Sequence, residues 1–296
     1  MLIWVYIVVP VVSILVGSAI AAWVYFEKIY ASFFRSTLQD LAVCCFGIES
    51  NIKIHNMLGK GSNGIVYRAE WYGQMVAVKI TGTNEAYIPS FNHHNTVRIY
   101  TWKHQYLNIK PCIVNMFQRE IWIVQEYCDL GNLSSFFHKY GLIVSPEQKL
   151  DILRQIGHGL EHVHDEGYIH GDIHPQNILL KTCLTEPFGY TVKIADYGKM
   201  QHTAHVVERC YGNISHTSPE SMLYQTVSQK CDIFAFGILA WEIYNEKNLY
   251  RTLEQVFEGT LPEYTDENIF QKITAMCCVA DPNDRPEWTV IRGILH

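Results

Sequence analysis

The sequence lacks several features that define common classes of protein. Charged residues make up 18% of its 296 residues, below the roughly 25% that is usual in soluble domains. Hydrophobic residues reach 48%, which excludes a disordered chain. There is no run of Lys or Arg, and acidic residues outnumber basic ones by 29 to 23. We therefore expect no nucleic-acid partner.

Cysteines with the Cys-x-x-Cys spacing are also missing. The 9 cysteines are odd in number and scattered, and none of them forms a Cys-x-x-Cys pair. Small disulfide scaffolds and zinc ribbons need such paired spacings. The pattern favours reduced thiols in a cytosolic domain.

Charge is absent from one long segment, Leu2–Phe26. As a helix, about 25 residues span about 37 Å, enough to cross a hydrocarbon core of about 30 Å. Trp4 and Trp23 lie near its two ends, as in the aromatic belts of membrane proteins. A cleaved signal peptide would need a basic start and a shorter apolar run. We predict a transmembrane helix at residues 1–26, in a single-pass membrane protein.

The first basic residues after this segment are Lys28 and Arg35. The positive-inside rule then places the rest of the chain in the cytoplasm. Residues 27–51 are typical of a short juxtamembrane connector. Residues 52–296 show no repeat, linker or low-complexity tract, which indicates one continuous domain.

The first part of this domain has the pattern of a β-sheet. Leu58–Lys79 alternates and carries glycines, which predicts a strand, a glycine turn and a second strand. Met75–Ile80 and Ile121–Glu126 are predicted as further strands.

The second part of the domain has helical patterning. Ser145-Pro146-Glu147-Gln148 predicts a helix start, with Ser as N-cap, Pro at the first position and Gln as capping-box partner. Ile233–Tyr244 is apolar almost all round, which indicates a helix buried in a large domain. A β-rich part followed by a helical part predicts an α+β fold.

A glycine-rich segment lies between the first two predicted strands. Gly59-Lys60-Gly61-Ser62-Asn63-Gly64-Ile65-Val66 has the pattern G-x-G-x-x-G-x-V. Glycines let backbone amides approach a polyphosphate closely. A dinucleotide fingerprint would open a helix, whereas a strand follows here. Val76-Ala77-Val78-Lys79 then places a lysine on the next strand, where it can reach phosphates.

Two further motifs carry polar groups suited to phosphoryl transfer. They are His170-Gly171-Asp172-Ile173-His174-Pro175-Gln176-Asn177 and Asp196-Tyr197-Gly198. This reaction needs a group that orients or deprotonates the attacking hydroxyl, and oxygen ligands for Mg²⁺. Asp172 suits the first role, and Asn177 and Asp196 suit the second.

Three further features complete the series: Ser218-Pro219-Glu220, Asp232 and Asp281-Pro282-Asn283-Asp284-Arg285-Pro286. In this order, the motifs resemble the eukaryotic protein kinase family, especially its tyrosine-kinase-like branch. The resemblance covers nearly all of residues 52–296. It implies a two-lobed α+β fold, here preceded by one transmembrane helix, with ATP and Mg²⁺ as cofactors and a protein as substrate.

The resemblance also implies roles for individual residues. Asp172 is the expected catalytic aspartate, acting with Lys79 and Asn177, while Asn177 and Asp196 hold Mg²⁺. The expected ATP-binding residues are Gly59, Gly61, Ser62, Gly64, Val66, Ala77, Lys79 and the backbone of Glu126 and Cys128. The expected supporting residues are Gln125 as gatekeeper, Glu220 paired with Arg285, Asp232 bracing the catalytic loop, and His170, Tyr197 and Met116 in the hydrophobic spine.

One departure from the family concerns the helix that follows the lysine strand. Lys110–Val114 matches the family's His-Pro-Asn-Ile-Val at the start of its fourth strand, which leaves room for a helix αC of normal length. The glutamate that holds Lys79 is then expected near Arg98 to Trp102. No Asp or Glu occurs from Ala86 to Arg119. Glu85 is the nearby candidate, and it lies where a loop is expected.

Three other departures affect catalysis and control. Gly171 replaces the arginine of the His-Arg-Asp motif, and His174 replaces the lysine that marks serine/threonine kinases. Asn213 stands where those kinases carry a threonine before the Pro-Glu motif.

Three functions stay open on the sequence. The leading one is a membrane-anchored protein kinase, with Ser or Thr favoured over Tyr. The missing glutamate also fits a pseudokinase, a binding or scaffold module with little turnover. The third is a small-molecule kinase, because His170–Pro175 also resembles the catalytic loop of aminoglycoside and choline kinases.

Overall fold

The computed structural model describes residues 52–61, 64–82, 89–106, 119–140, 143–204, 213–247, 249, 255 and 268–296. The predicted transmembrane helix and connector, residues 1–51, lie outside these ranges. Among the residues described, no helix is long and apolar enough to cross a membrane. The described residues fall into two compact units: unit 1 has residues 52–60 and 65–76, and unit 2 has residues 61–64 and those from 77 onward.

Unit 1 consists largely of β1 (Ile52–Gly61), β2 (Gly64–Trp71) and the first residues of β3 (Gln74–Gly82). Tyr72 and Gly73 join β2 to β3 with φ of 50° and 78°, the backbone that a two-residue hairpin turn requires. The two strands predicted on either side of the glycine-rich segment are confirmed, while Ser62 and Asn63, at the predicted turn between them, lie outside the described residues.

In unit 2, β3 lies beside β5 (Arg119–Glu126), which pairs with β4 (Ile99–Tyr106). β4 and β5 are antiparallel, with Trp102 opposite Ile123. Val78, Ile121 and Val124 are fully buried, so the centre of this sheet is a hydrophobic layer. The predicted strands at Met75–Ile80 and Ile121–Glu126 are confirmed.

Helices dominate the rest of unit 2. They are α1 (Leu133–Tyr140), α2 (Pro146–Asp165), α3 (Pro219–Tyr224), α4 (Gln229–Asn245), α5 (Ile269–Cys277) and α6 (Trp288–Leu295). The capping box of α2 forms as predicted: the Ser145 side chain accepts the Gln148 amide, and the Gln148 side chain accepts the Ser145 amide. α4 is buried on nearly all sides, also as predicted.

Short β-strands lie in the connections between these helices. β6 (Gly131–Asn132), β8 (Ile178–Thr182) and β9 (Tyr190–Ile194) form one small sheet, and β7 (Tyr168–Ile169) pairs with β10 (Gln201–His202). The core lies between α2, α4 and β8–β9, where fully buried apolar side chains meet, among them Ile156, Leu160, Ile178, Val192, Phe236 and Leu239. Burial of this kind contributes about 1.5–3 kcal/mol per side chain.

The predicted position of β4 and of the helix before it is wrong. β4 occupies Ile99–Tyr106, whereas Lys110–Val114 lies outside the described residues. Residues 89–98 contain no helix. Pro89 disfavours helical backbone just before it, and the β-branched and aromatic residues from Thr96 to Trp102 favour a strand.

Residues 95–97 lie against β9 instead. The Val97 amide donates to Ile194 O at 2.8 Å, and the Ile194 amide donates to Asn95 O at 2.9 Å. Asn95 also donates its side-chain amide to Gln155 of α2 at 3.0 Å. His93-His94-Asn95-Thr96-Val97 is thus a second match to His-Pro-Asn-Ile-Val, with His in place of Pro and Thr in place of Ile. Residues Arg98 to Trp102 cannot supply the expected glutamate, because none of them is acidic. They lead into β4 rather than forming a helix.

Candidate active site

Lys79 and Asp196 form an ion pair. Lys79 lies on β3 with only 6% of its surface exposed, and its Nζ is 2.7 Å from Asp196 Oδ1. Asp196 has a left-handed backbone, with φ of 63°, which costs about 1–3 kcal/mol at a non-glycine residue. Its side chain also accepts the Gly198 amide at 3.3 Å, and this local bond helps to hold the turn.

Asp172 lies in the loop after β7 with both carboxylate oxygens engaged. Oδ2 is 2.9 Å from Lys199 Nζ, while Oδ1 accepts the Asn213 amide at 3.2 Å and lies 3.6 Å from His174 Nε2. Burial alone would raise the pKa of Asp172, but His174 and Lys199 outweigh it and hold this pKa well below its usual value. Asp172 is therefore a charged acceptor and a weak base.

Asn177 is fixed beside Asp172 and Asp196 by the backbone. Its side chain donates to Asp172 O at 2.8 Å, and its carbonyl accepts the Ala195 amide at 2.9 Å. β8 begins and β9 ends at this point, with Ile178 opposite Ile194. The hairpin therefore brings Asn177 next to the residue that precedes Asp196.

Asp232 braces the catalytic loop, as predicted. It lies at the start of α4, and its carboxylate accepts the amides of His170 at 2.7 Å and Gly171 at 2.9 Å. It also contacts His164 Nε2 at 2.9 Å. Trp288 Nε1 donates to His164 Nδ1 at 2.8 Å. Since an indole N–H can only donate, His164 carries its proton on Nε2 and donates it to Asp232.

His170 and Tyr197 pack together, as expected for members of a spine. Their ring centroids are 6.1 Å apart at 79°. His170 Nε2 lies 3.0 Å from Ala195 O and Nδ1 accepts the Asp172 amide, so the neutral ring bridges the two motifs. Phe91 packs on Tyr197 at 5.3 Å. The sequence reasoning missed Phe91, because it assigned this segment to a helix and chose Met116, which lies outside the described residues.

The glycine-rich segment has one position where only glycine fits. A Cβ on Gly64, where φ is 132°, would collide with the carbonyl oxygen of Ile80. Gly59 and Gly61 have open space around a Cβ, and Ser62 lies outside the described residues. Val66 is half-buried on β2.

The predicted hinge follows β5. Gln125 is buried at its end, and Ala77 is buried on β3. The Glu126 carboxylate lies 2.7 Å from Lys181 Nζ and 3.0 Å from Lys193 Nζ. Burial opposes ionisation of Glu126, but these two lysines outweigh it and lower its pKa. Desolvation raises the pKa of Cys128 to about 12, so its thiol stays neutral and only its backbone suits a hinge role.

Glu220 and Arg285 form the predicted pair. Arg285 Nη1 and Nη2 lie 2.6 and 2.7 Å from the two Glu220 oxygens. The Arg285 side chain is fully buried. This bidentate bridge joins the start of α3 to the turn before α6.

The donor set at the hairpin fits a magnesium ion. Asn177 uses its amide hydrogens on Asp172 O, which leaves the amide oxygen as a ligand, and Asp196 supplies a carboxylate. Both are hard oxygen donors, which Mg²⁺ prefers, and it usually binds through one or two carboxylates together with substrate phosphates. Elsewhere in the described ranges, no group of three or more His, Cys, Asp and Glu side chains is placed to hold a metal ion.

The site combines a buried lysine, a charged aspartate in a braced loop and an oxygen-donor hairpin, the kinds of group that phosphoryl transfer uses. The family model "protein tyrosine and serine/threonine kinase" matches residues 52–295. The chain therefore belongs to this family.

Several proteins named as kinases are similar in sequence. Mitogen-activated protein kinase kinase kinase 7 of Drosophila melanogaster is 24% identical over 269 residues, which cover 83% of this chain and 37% of that protein. Sporulation protein kinase mde3 of Schizosaccharomyces pombe is 28% identical over 243 residues, 76% of this chain and 41% of that protein. A putative serine/threonine-protein kinase/receptor of Acanthamoeba polyphaga mimivirus is 27% identical over 275 residues, 84% of this chain and 15% of the relative. The chain thus spans less than half the length of these curated relatives.

Proposed function

We propose that this protein is a membrane-anchored kinase that transfers the γ-phosphoryl group of ATP to Ser or Thr hydroxyls of a protein substrate. One observation carries the proposal: one hairpin brings Lys79, Asp196, Asn177 and Asp172 together. Lys79 contacts Asp196 at 2.7 Å, the Asn177 carbonyl accepts the amide of Ala195, the residue before Asp196, at 2.9 Å, and Asn177 donates to Asp172 O at 2.8 Å. Phosphoryl transfer depends mainly on positioning and on charge stabilisation, and this arrangement supplies both.

Each residue has a defined task in this reaction. Lys79 places a cation against the phosphates of ATP, and Asn177 and Asp196 would hold Mg²⁺, which neutralises phosphate charge. Asp172 accepts the hydrogen bond of the attacking hydroxyl. Because its pKa is low, Asp172 orients the hydroxyl rather than removing its proton early, which suits a loose transition state.

The name of one of the three similar proteins above, a putative serine/threonine-protein kinase/receptor, favours Ser and Thr as acceptors. The uncharged segment Leu2–Phe26 supports the membrane anchor. Lys28 and Arg35, the first basic residues after that segment, support a cytoplasmic kinase domain.

A pseudokinase is the second candidate, and one observation favours it. Residues 89–98 form no helix, so the usual source of a glutamate for Lys79 is absent from that part of the described chain. Glu85, which lies outside the described residues, is the candidate partner by sequence.

Labelled ATP, Mg²⁺ and generic protein substrates distinguish the two. We expect wild type to exceed Asp172→Asn by at least about a hundredfold, since the orienting carboxylate acts in the transition state. Lys149→Met is the control for loss of a paired lysine, because Lys149 lies near the start of α2 and pairs with Glu246 after the end of α4, and neither residue belongs to the candidate site. If wild type is no faster than Asp172→Asn, the pseudokinase replaces the enzyme. Glu85→Gln in the same assay shows whether that residue supports Lys79.

A further inference from the structure

We propose that Lys199 is a positioning residue that orients the Asp172 carboxylate in the catalytic loop. The inference rests on the proposed function and concerns the same site. None of the sequence motifs assigns a role to Lys199.

Lys199 reaches Asp172 from the activation segment, residues 196–220. It ends the turn Tyr197–Lys199 that directly follows Asp196. Its Nζ lies 2.9 Å from Asp172 Oδ2, with the Lys199 side chain 20% exposed and that of Asp172 6% exposed. A charge-assisted bond in such a shielded place is stronger than one at the surface.

Asn213, in the later part of the activation segment, contacts the other carboxylate oxygen of Asp172. The Asn213 amide donates to Asp172 Oδ1 at 3.2 Å. Lys199 and Asn213 thus fix the two carboxylate oxygens from opposite ends of one segment. Rotation of the Asp172 side chain would break both contacts.

Gly171 makes this arrangement possible. Its φ is 73°, and a Cβ there would lie 3.2 Å from the carbonyl oxygen of Lys199. A side chain at residue 171 would therefore be strained and pressed against the turn that carries Lys199. The position that carries arginine in the resembled family is a glycine here. Lys199 supplies a cation to Asp172, the next residue of the loop.

The contact leaves room for the reaction. Each carboxylate oxygen offers about two acceptor sites. Asn213 and His174 approach Oδ1, whereas Lys199 occupies one site on Oδ2, so that a hydroxyl can use the other. An acceptor hydroxyl can still bind Asp172. Lys199 therefore orients the carboxylate and does not block it.

Kinetics of the full-length chain provide the first test. We expect Lys199→Met to lower kcat by about ten- to a hundredfold, the loss typical of one hydrogen bond to a charged group, with KM for Mg-ATP within about threefold. Lys199→Arg keeps the cation, so its kcat should be at least about three times that of Lys199→Met. Lys149→Met should match wild type. An unchanged or raised kcat in Lys199→Met overturns the proposal, and a raised value identifies the contact as inhibitory.

Hydrogen exchange of the Asn213 amide provides a test that needs no turnover. If Lys199 fixes the carboxylate, this amide should exchange at least about tenfold faster in Lys199→Met than in wild type and in Lys149→Met. Equal exchange in all three overturns the proposal. If wild type shows no turnover above Asp172→Asn, the proposed function fails, and the exchange rates alone decide whether Lys199 positions Asp172.

Discussion

At the scale of single residues, the site is built from contacts whose partners differ widely in sequence position. Lys79 and Asp196 are 117 residues apart, and Glu220 and Arg285 are 65 apart. The motifs predicted both partners of the second pair because the family pattern names them together. They did not predict the contact of Lys199 with Asp172, because these residues are brought together only in the folded structure.

Asp196→Asn should separate magnesium binding from nucleotide binding. The substitution keeps the shape of the side chain but removes the charge that a divalent cation requires. We expect the thermal shift with Mg-ATP to fall far more than the shift with ATP and EDTA. For scale, a ligand at 100 times its dissociation constant stabilises by about 2.7 kcal/mol. Equal losses in both conditions would contradict Asp196 as a magnesium ligand.

Glu220→Gln should destabilise the fold. Breaking a buried ion pair leaves the Arg285 charge uncompensated and costs about 3–5 kcal/mol. Glu287→Gln is the matched control, because Glu287 pairs with Lys230 at 2.6 Å but is 75% exposed, and such surface pairs contribute about 0–1 kcal/mol. Urea denaturation measures both variants. Equal effects would mean that the Glu220–Arg285 bridge contributes no more than a surface pair.

At the scale of elements, sequence patterns worked where local signals agreed and failed where two motifs competed. The capping box at Ser145 and the apolar run of α4 each have one interpretation. For the start of β4 we predicted only Lys110–Val114, which shares three of five residues with the family pattern. His93–Val97 also shares three, and the buried Val97 and Ile99, which alternate with the exposed Arg98 and Tyr100, belong to this second segment. Tertiary pairing with β5 decides between them.

The packing of α2 against residues 95–97 requires a glycine. A Cβ on Gly159 would lie 2.6 Å from Asn95 O and 2.8 Å from Ile194 Cδ1. We expect Gly159→Ala to destabilise by about 1–3 kcal/mol through overpacking, despite the better helix propensity of alanine. Gly293→Ala, in α6 with no atom within 4 Å of the added Cβ, should stabilise by up to about 1 kcal/mol. Thermal unfolding of both variants checks the sign, and a stabilising Gly159→Ala would show that the contact is loose.

At the scale of the whole molecule, the family could be predicted from the order of the motifs, and the fold follows from it. The residues around the missing glutamate could not be predicted, because their positions depend on where β4 begins, and pairing with β5 determines that. The membrane anchor depends on a different property of the chain, its hydropathy, and therefore needs its own test.

We predict that the full-length chain is an integral membrane protein whose kinase domain faces the cytoplasm. Full-length protein should stay in the pellet after alkaline carbonate extraction. Arg in place of both Ile14 and Val16 should release it, because each central arginine costs about 2.5–3.5 kcal/mol of insertion free energy. Leu at the same two positions is the matched control and should leave it in the pellet. In sealed, right-side-out microsomes, protease should cut near Gly59–Gly64. Release of the wild-type chain by carbonate, or protection of this glycine-rich segment, would contradict the predicted anchor or its orientation.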